Sequence, residues 1–485
     1  MANELQPGYR FEDIHLEEFP PASPITERAP RRSPSISGSV FALEQISVSS
    51  VGNRNETVLA PVDTGFAAWA FLAAAFVVEG LVFSVPYAYG IFLPLYLEDP
   101  RFASPPHAAT LLPLVGTLSS GVIFLTGPIV YPYLSRYPHH RRICAWLGVL
   151  LWWTSVFGAS YADKIEHLLV LQGVMFGISG SMLYAATISY FAEWFVKRRG
   201  LANGIMFTGS ASGGLILPFI LPPVLRAHGT STTLRFLSVA LVLLLLPAVP
   251  FLRPRLPESR VHGPRRRTDQ RSWMKDWLWW ALIASNTIVG LGFFLPQLWF
   301  PTFASALNLS TSSSSLALAL LNGASALAPL FVGFLSDRYS PWIIALFVTS
   351  SSSIFTFILW GVVGNAAAGM MAYGVAYGLS AGGWSTLWSG FIRGFSKDDP
   401  DLATLLYGFL MLSRGIGNVL SSPISTTLLS GTNSTQFDIH SHGKTGFAVQ
   451  DGRFGRLITY VGSCFAAAGV VSLVVALRDK RSRRA

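Results

Sequence analysis

Charge is scarce in this sequence. Only 12% of its 485 residues are Asp, Glu, Lys or Arg, about half the share of an average soluble domain, too little to clothe a water-soluble globule. Cysteine is scarcer still: Cys144 and Cys464 both lie in apolar runs, so neither a disulfide framework nor a thiolate metal site can be assembled. A phosphate-binding loop is missing as well. Gly443-Lys444-Thr445 imitates the close of one, but the glycine required five residues earlier is Asp438, and no strand precedes it. The histidines are scattered, and neither His139-His140 nor the His440/His442 pair has acidic or cysteine neighbours at ligand spacing. No cofactor motif and no nucleophile-base pattern stands out. These absences speak against an ATP-driven pump, a metal centre and a cofactor enzyme; an intramembrane hydrolase or lipid transferase is the only enzyme class left open.

What the chain has is apolar length. Hydrophobic residues make up 51%, with 34 Phe, 14 Trp and 44 Gly and a mean hydropathy of +0.46, a profile of a polytopic helical membrane protein, in which Gly and Pro are tolerated and Trp and Tyr gather at interfaces. Twelve apolar stretches follow a polar beginning, near 66–96, 109–134, 143–161, 167–190, 201–224, 233–252, 277–304, 313–335, 342–362, 367–391, 402–428 and 457–477. Each can cross about 30 Å of hydrocarbon at about 1.5 Å per residue. Residues 1–60, rich in Pro, Ser, Glu and Arg, carry too little hydrophobic surface to offset ordering entropy and predict a disordered cytosolic tail.

The net charge of +10 is explained by where it sits, without a nucleic-acid partner. With the N-terminus inside, the inner loops and C-terminal tail hold 22 Lys and Arg and the outer loops 7, so both termini are expected in the cytosol. Asn308 and Asn433 begin glycosylation sequons on outer loops. The basic, Pro-containing segment 253–276 divides the chain into a six-helix bundle over 61–252 and another over 277–477, with a basic tail at 478–485. An internal repeat at an offset of 201 supports the division: Leu134-Ser135 meets Leu335-Ser336, Gly177 and Ser179 meet Gly378 and Ser380, and Leu201-Ala202 meets Leu402-Ala403. The fold class is therefore all-α membrane protein, twelve transmembrane helices in two pseudo-symmetric bundles.

Two ionisable residues fall inside apolar spans, Glu79 in the first and Arg414 in the eleventh. Each costs about 2.5–3.5 kcal/mol at a helix centre on insertion scales, so each needs a partner or a hydrated cavity. Opposite sign at similar depth permits a pair that only fixes helix packing. It also permits chemistry: the guanidinium fork suits a carboxylate and stays charged, whereas a carboxyl can carry a proton. An incoming carboxylate that took Arg414 would leave Glu79 to accept one. Asn322 and Ser325 share a face of span 8, Asn286 and Gln297 interrupt span 7, and Tyr184, Trp384 and Trp388 are aromatic candidates on spans 4 and 10. Each of these also suits plain helix packing. Gly204, Gly209, Gly213 and Gly214 on span 5, and Gly374, Gly378, Gly382 and Gly383 on span 10, would let helices approach and slide.

Several segments together resemble the fungal monocarboxylate-transporter-like branch of the major facilitator superfamily. The most specific is Tyr190-Phe191-Ala192-Glu193-Trp194-Phe195-Val196-Lys197-Arg198-Arg199-Gly200-Leu201-Ala202-Asn203-Gly204, which looks like that branch's link between spans 4 and 5. Pro61-Val62-Asp63-Thr64-Gly65-Phe66 resembles its Asp-x-Gly motif before span 1, with Glu79 at the branch's span-1 Glu. Arg253-Pro254-Arg255-Leu256-Pro257 resembles the exit from span 6, and Gly292-Phe293-Phe294-Leu295-Pro296 the span-7 motif. Ser413-Arg414-Gly415-Ile416-Gly417-Asn418 with Ser422-Pro423-Ile424-Ser425 resembles the span-11 motif. The resemblance departs where animal members have a Lys after the span-1 Phe-Pro, because Tyr87 follows Pro86, and in span 8, where Pro329 and Ala328 replace an Arg and a Gly.

The resemblance implies the major facilitator fold and a monomeric proton-coupled carrier of a small organic anion, a monocarboxylate, in the plasma or vacuolar membrane. Arg414, Tyr87, Tyr184, Asn286, Asn322, Ser325, Trp384 and Trp388 would meet the substrate, Glu79 the proton, and Lys197, Arg198 and Arg199 would act as an inner gate, a role that plain topology signals would fill equally. Two alternatives stay open: export of a hydrophobic secondary metabolite, and a nutrient sensor on a transporter scaffold.

Overall fold

A computed structural model describes residues 60–195, 198–255, 272–336, 338–396, 400–430 and 445–482. The expected tail up to residue 59, the linker over 256–271, Lys197, Asn433 and the side chain of Arg199 lie outside the described residues. The described chain is helical, with α1 (Phe66–Glu98), α2 (Ala108–Arg136), α3 (His140–Ala159), α4 (Ile165–Phe191), α5 (200–228), α6 (230–251), α7 (Trp277–Ala306), α8 (Thr311–Ser336), α9 (Pro341–Val362), α10 (367–396), α11 (Leu402–Ser430) and α12 (Arg453–Arg478).

Three of the twelve expected spans differ in form. The fifth and sixth run together as one helical stretch, Arg199–Leu245, 47 residues or about 70 Å if straight, more than twice the hydrocarbon thickness. Gly229, at φ 74° and ψ 175°, breaks it in two; this backbone conformation is easy for glycine and strained for other residues. The loop expected over 225–232 is therefore mostly helix. The tenth span breaks after Ala381, turns through Trp384–Thr386 and resumes as Leu387–Ser396, at the Gly382-Gly383 pair.

The expected repeat reappears in the packing. A Cβ on Gly177 of α4 would lie 3.0 Å from Ser119 O of α2, and one on Gly378 of α10 would lie 2.8 Å from Ala324 Cβ of α8. In each half the fourth helix thus closes on the second at a corresponding glycine. Most of the two glycine stripes pack helices within a half. Gly209 and Gly213 bring α5 against α1 within its own half, and Gly374, Gly378 and Gly382 bring α10 against α8 within the other. Only Gly204 and Gly214 face across the halves, toward Leu330 and Asn322 of α8. Thr208 Oγ1 donates to Ala326 O at 2.9 Å along the same seam. The other seams are α2 with α11, where a Gly415 Cβ would lie 2.8 Å from Gly121 O, and α1 with α7, where Gly90 stands 2.6 Å by the same measure from Gln297 O.

At the end of the bundle where α1 begins, three of the motifs singled out in the sequence interlock. Asp63 accepts from Arg198 N–H at 2.9 Å and donates its own N–H to Trp194 O at 3.0 Å. Trp194 Nε1 donates to Arg253 O at 2.9 Å. Glu193 takes Arg141 Nη1 at 2.7 Å on one oxygen and Arg255 N–H at 3.0 Å on the other, and Arg255 Nε reaches Ala60 O at 2.7 Å. These bonds tie the approach to α1, the start of α3, the α4–α5 turn and the exit of α6 into one unit.

Close packing makes a checkable prediction. A Cβ at Gly213 would lie 2.6 Å from both Gly80 O and Ser84 Cβ, whereas one at Gly394 meets nothing within 4 Å. Gly213→Val is expected to cost about 1–3 kcal/mol by overpacking and to lower the Tm of purified protein, while Gly394→Ala leaves it unchanged or higher.

Candidate functional site

A cavity lies between the halves, walled by α1, α2, α4 and α5 on one side and α7, α8, α10 and α11 on the other. Its volume is about 50 Å³, room for a few waters at about 10–15 Å³ each, so the halves must part to admit a metabolite. Aromatic side chains make most of its wall: Phe83 and Tyr87 from α1, Phe124 from α2, Phe207 from α5, Phe293 and Phe294 from α7. Tyr87 and Phe294 meet across the halves with ring centroids 5.4 Å apart. At the other end Tyr184 OH lies 3.3 Å from Tyr407 OH, and the Tyr407 ring also touches Tyr131 and Trp388.

Glu79 and Arg414 both border this cavity, each 2% exposed. They share its wall but do not pair: no ion pair within 4.0 Å joins them. Glu79 Oε2 and Arg414 Nη1 have no hydrogen-bond partner. The Arg414 guanidinium instead lies over the Phe293 ring, 4.2 Å from its centroid, which satisfies its face and leaves edge donors free. A buried charge without a bonded counter-ion is more costly than a buried pair. Both groups are thus set up to be satisfied by something that enters the cavity.

The other candidates divide. Tyr87, Tyr184, Ser325 and Trp388 line the cavity, although Ser325 spends its hydroxyl proton on Leu321 O at 2.8 Å. Asn286 and Trp384 do not line it. Asn286 Nδ2 donates to Leu410 O and to Ser413 Oγ, both at 2.7 Å, and its Oδ1 accepts from Trp384 Nε1 at 2.7 Å and Trp388 Nε1 at 3.1 Å. With all four capacities used, it has nothing left for a ligand; it fastens α7, α10 and α11 together. Asn322, also outside the wall, donates to Gly214 O at 3.0 Å across the seam between halves. Arg198 is exposed in the α4–α5 turn, held by its backbone, and Asn308 is exposed between α7 and α8 at φ 55°.

The sequence reading missed Asn418, Thr386, Ser385 and the phenylalanine lining. The signal for Asn418 was present: it stands four residues after Arg414 in the same motif, hence on the same helical face. Pro329 also borders the cavity, so of the three positions at which the resemblance departs, Tyr87 and Pro329 face it and Ala328 does not line it. Among the described residues no three His, Cys, Asp or Glu side chains gather as a metal site would require.

Comparison with known proteins agrees with this architecture. The MFS-type transporter pynF of Aspergillus niger is 24% identical over 82% of this chain and 90% of its own length. The aspyridones efflux protein of Emericella nidulans is 24% identical over 76% of this chain and 73% of its own. Monocarboxylate transporter 10 of Rattus norvegicus is 30% identical, over 50% of this chain and 47% of its own. The crystal structure of the nucleoside transporter NupG superposes with a TM-score of 0.58 at 13% identity, covering 84% of this chain and 99% of that one, a likeness of fold alone. The Major Facilitator Superfamily model matches residues 81–422. With twelve spans in two repeated halves around a central cavity, and that match over most of its length, the chain is a multi-pass membrane protein that belongs to the Major Facilitator Superfamily.

Proposed function

We propose that the protein carries an organic acid, a monocarboxylate, together with a proton, and that it does so by alternating access through the central cavity. The observation that carries this reading is the unpaired Glu79 and Arg414 bordering one cavity between the halves. The Arg414 edge takes the cargo carboxylate, and Glu79 carries the proton that neutralises the loaded site before it crosses. The layer at Tyr131, Tyr184, Tyr407 and Trp388 and the Tyr87–Phe294 contact are the two closures that part alternately. The aromatic wall, together with relatives named for efflux, favours a hydrophobic acid moved outward as a second reading. Both termini are cytosolic in this scheme, which leaves Asn308 on the far face for glycosylation.

Purified protein in liposomes tests the mechanism. Losing a charge-assisted hydrogen bond, worth about 1.5–3 kcal/mol, corresponds to about 10–150-fold at 1.4 kcal/mol per decade; Arg414→Gln is expected to lower acid uptake by that factor. Glu79→Gln is expected to abolish the response of uptake to an imposed pH gradient while leaving exchange of acid for acid. Uptake by that variant that still follows the gradient overturns the coupling scheme. Orientation is checked separately in cells: a glycan at Asn308 is removed by endoglycosidase as a mass shift that Asn308→Gln lacks.

A further inference from the structure

Asn418 of α11 is fully buried and borders the cavity. Neither its Oδ1 nor its Nδ2 has a hydrogen-bond partner, so the point does not depend on which way the amide faces. Buried amides are normally satisfied, because leaving water without a replacement bond is penalised. The contrast within this cavity's own surroundings is direct. Asn286, equally buried, uses every donor and acceptor it has on helix neighbours, and Asn418 uses none. A structural role would need the bonds that Asn286 makes.

Asn418 stands on the Arg414 face of α11, about 6 Å further along the axis. Its side chain presents a donor and an acceptor side by side, the complement of another amide. The wall they share carries the apolar rings of Phe83, Phe124, Phe293 and Phe294, and besides Glu79 its other polar members are the hydroxyls of Tyr87, Tyr184, Ser210, Ser325, Ser385 and Thr386. We infer that Asn418 is a specificity-determining residue, reading an amide next to the carboxylate held by Arg414, so that the preferred cargo is an N-acylated amino acid or similar amide-bearing acid. The inference rests on the acid-carrier reading and narrows its substrate class. A plain hydrocarbon acid would fill the apolar wall but leave the Asn418 amide unmet, and sites built to bond a polar group discriminate strongly against analogues that lack it.

The test uses matched pairs in proteoliposomes: N-benzoylglycine and N-octanoylglycine, each against the ketone analogue with CH2 in place of N–H. Wild type is expected to show a KM at least about 10-fold lower for the amide members. Asn418→Leu is expected to bring each pair within about twofold by raising the amide KM while ketone uptake persists, because only the amide partner is lost. Asn418→Ser, which keeps a shorter polar group, should fall between. The Tm of Asn418→Leu should equal or exceed that of wild type, since no bond is broken. Equal handling of both members by wild type, or discrimination that survives in Asn418→Leu, overturns the role of Asn418 and leaves the acid carrier standing. Failure of wild type to move any of the four acids overturns both.

Discussion

A carboxyl and a guanidinium buried in the wall of one cavity, without an ion pair between them, set the terms for the rest of this molecule. Had they met as an ion pair, their burial would be a matter of helix packing and the space between the halves a seam. Because they do not, the space has a polarity that the aromatic wall lacks, and the least costly arrangement is one in which a charged solute or water completes the shell of Arg414. The face of that guanidinium is occupied by Phe293; its edge, where carboxylates bind in a bidentate fork, is the part left to the cavity.

Around this centre helices approach at glycines until backbone meets backbone, both within a half, as Gly213 does with Gly80 and Gly374 with Ala317, and across the halves, as Gly90 does with Gln297 and Gly415 with Gly121. Among the described residues, hydrogen bonds also cross the halves from Thr208 to Ala326, Asn322 to Gly214 and Tyr184 to Tyr407. Opening the boundary would have to part both kinds of contact while each half keeps its internal shape.

Much of this was legible from residues alone. Apolar length fixes the number of spans, and insertion cost singles out Glu79 and Arg414 without any coordinates. What could not be read was pairing in three dimensions. Asn286 and Asn418 are the same residue type on neighbouring helices, and only the positions of Trp384, Trp388, Leu410 and Ser413 make one saturated and the other bare. The break at Gly229 falls inside the polar stretch 225–232 that reads as a loop; what was hidden is that helix continues up to it on both sides, because Arg226, His228 and the hydroxyl residues 230–233 have loop-like composition. The motifs around Asp63, Glu193 and Arg255 were recognisable as sequence, yet their use, fastening one half at the end where α1 begins, emerges only when residues 52 to 195 positions apart prove to be bonded.

The knot at Asn286 has a mechanical corollary. Four short hydrogen bonds from one amide fix the indoles of α10 and the backbone of α11 to α7, so these three helices cannot rotate about their own axes independently. Any tilt imposed at one of them is handed on to the others as leverage. If the cargo is held at Arg414 as proposed, its receptor is in that sense a single stiff jaw, opposed by the half that bears Glu79.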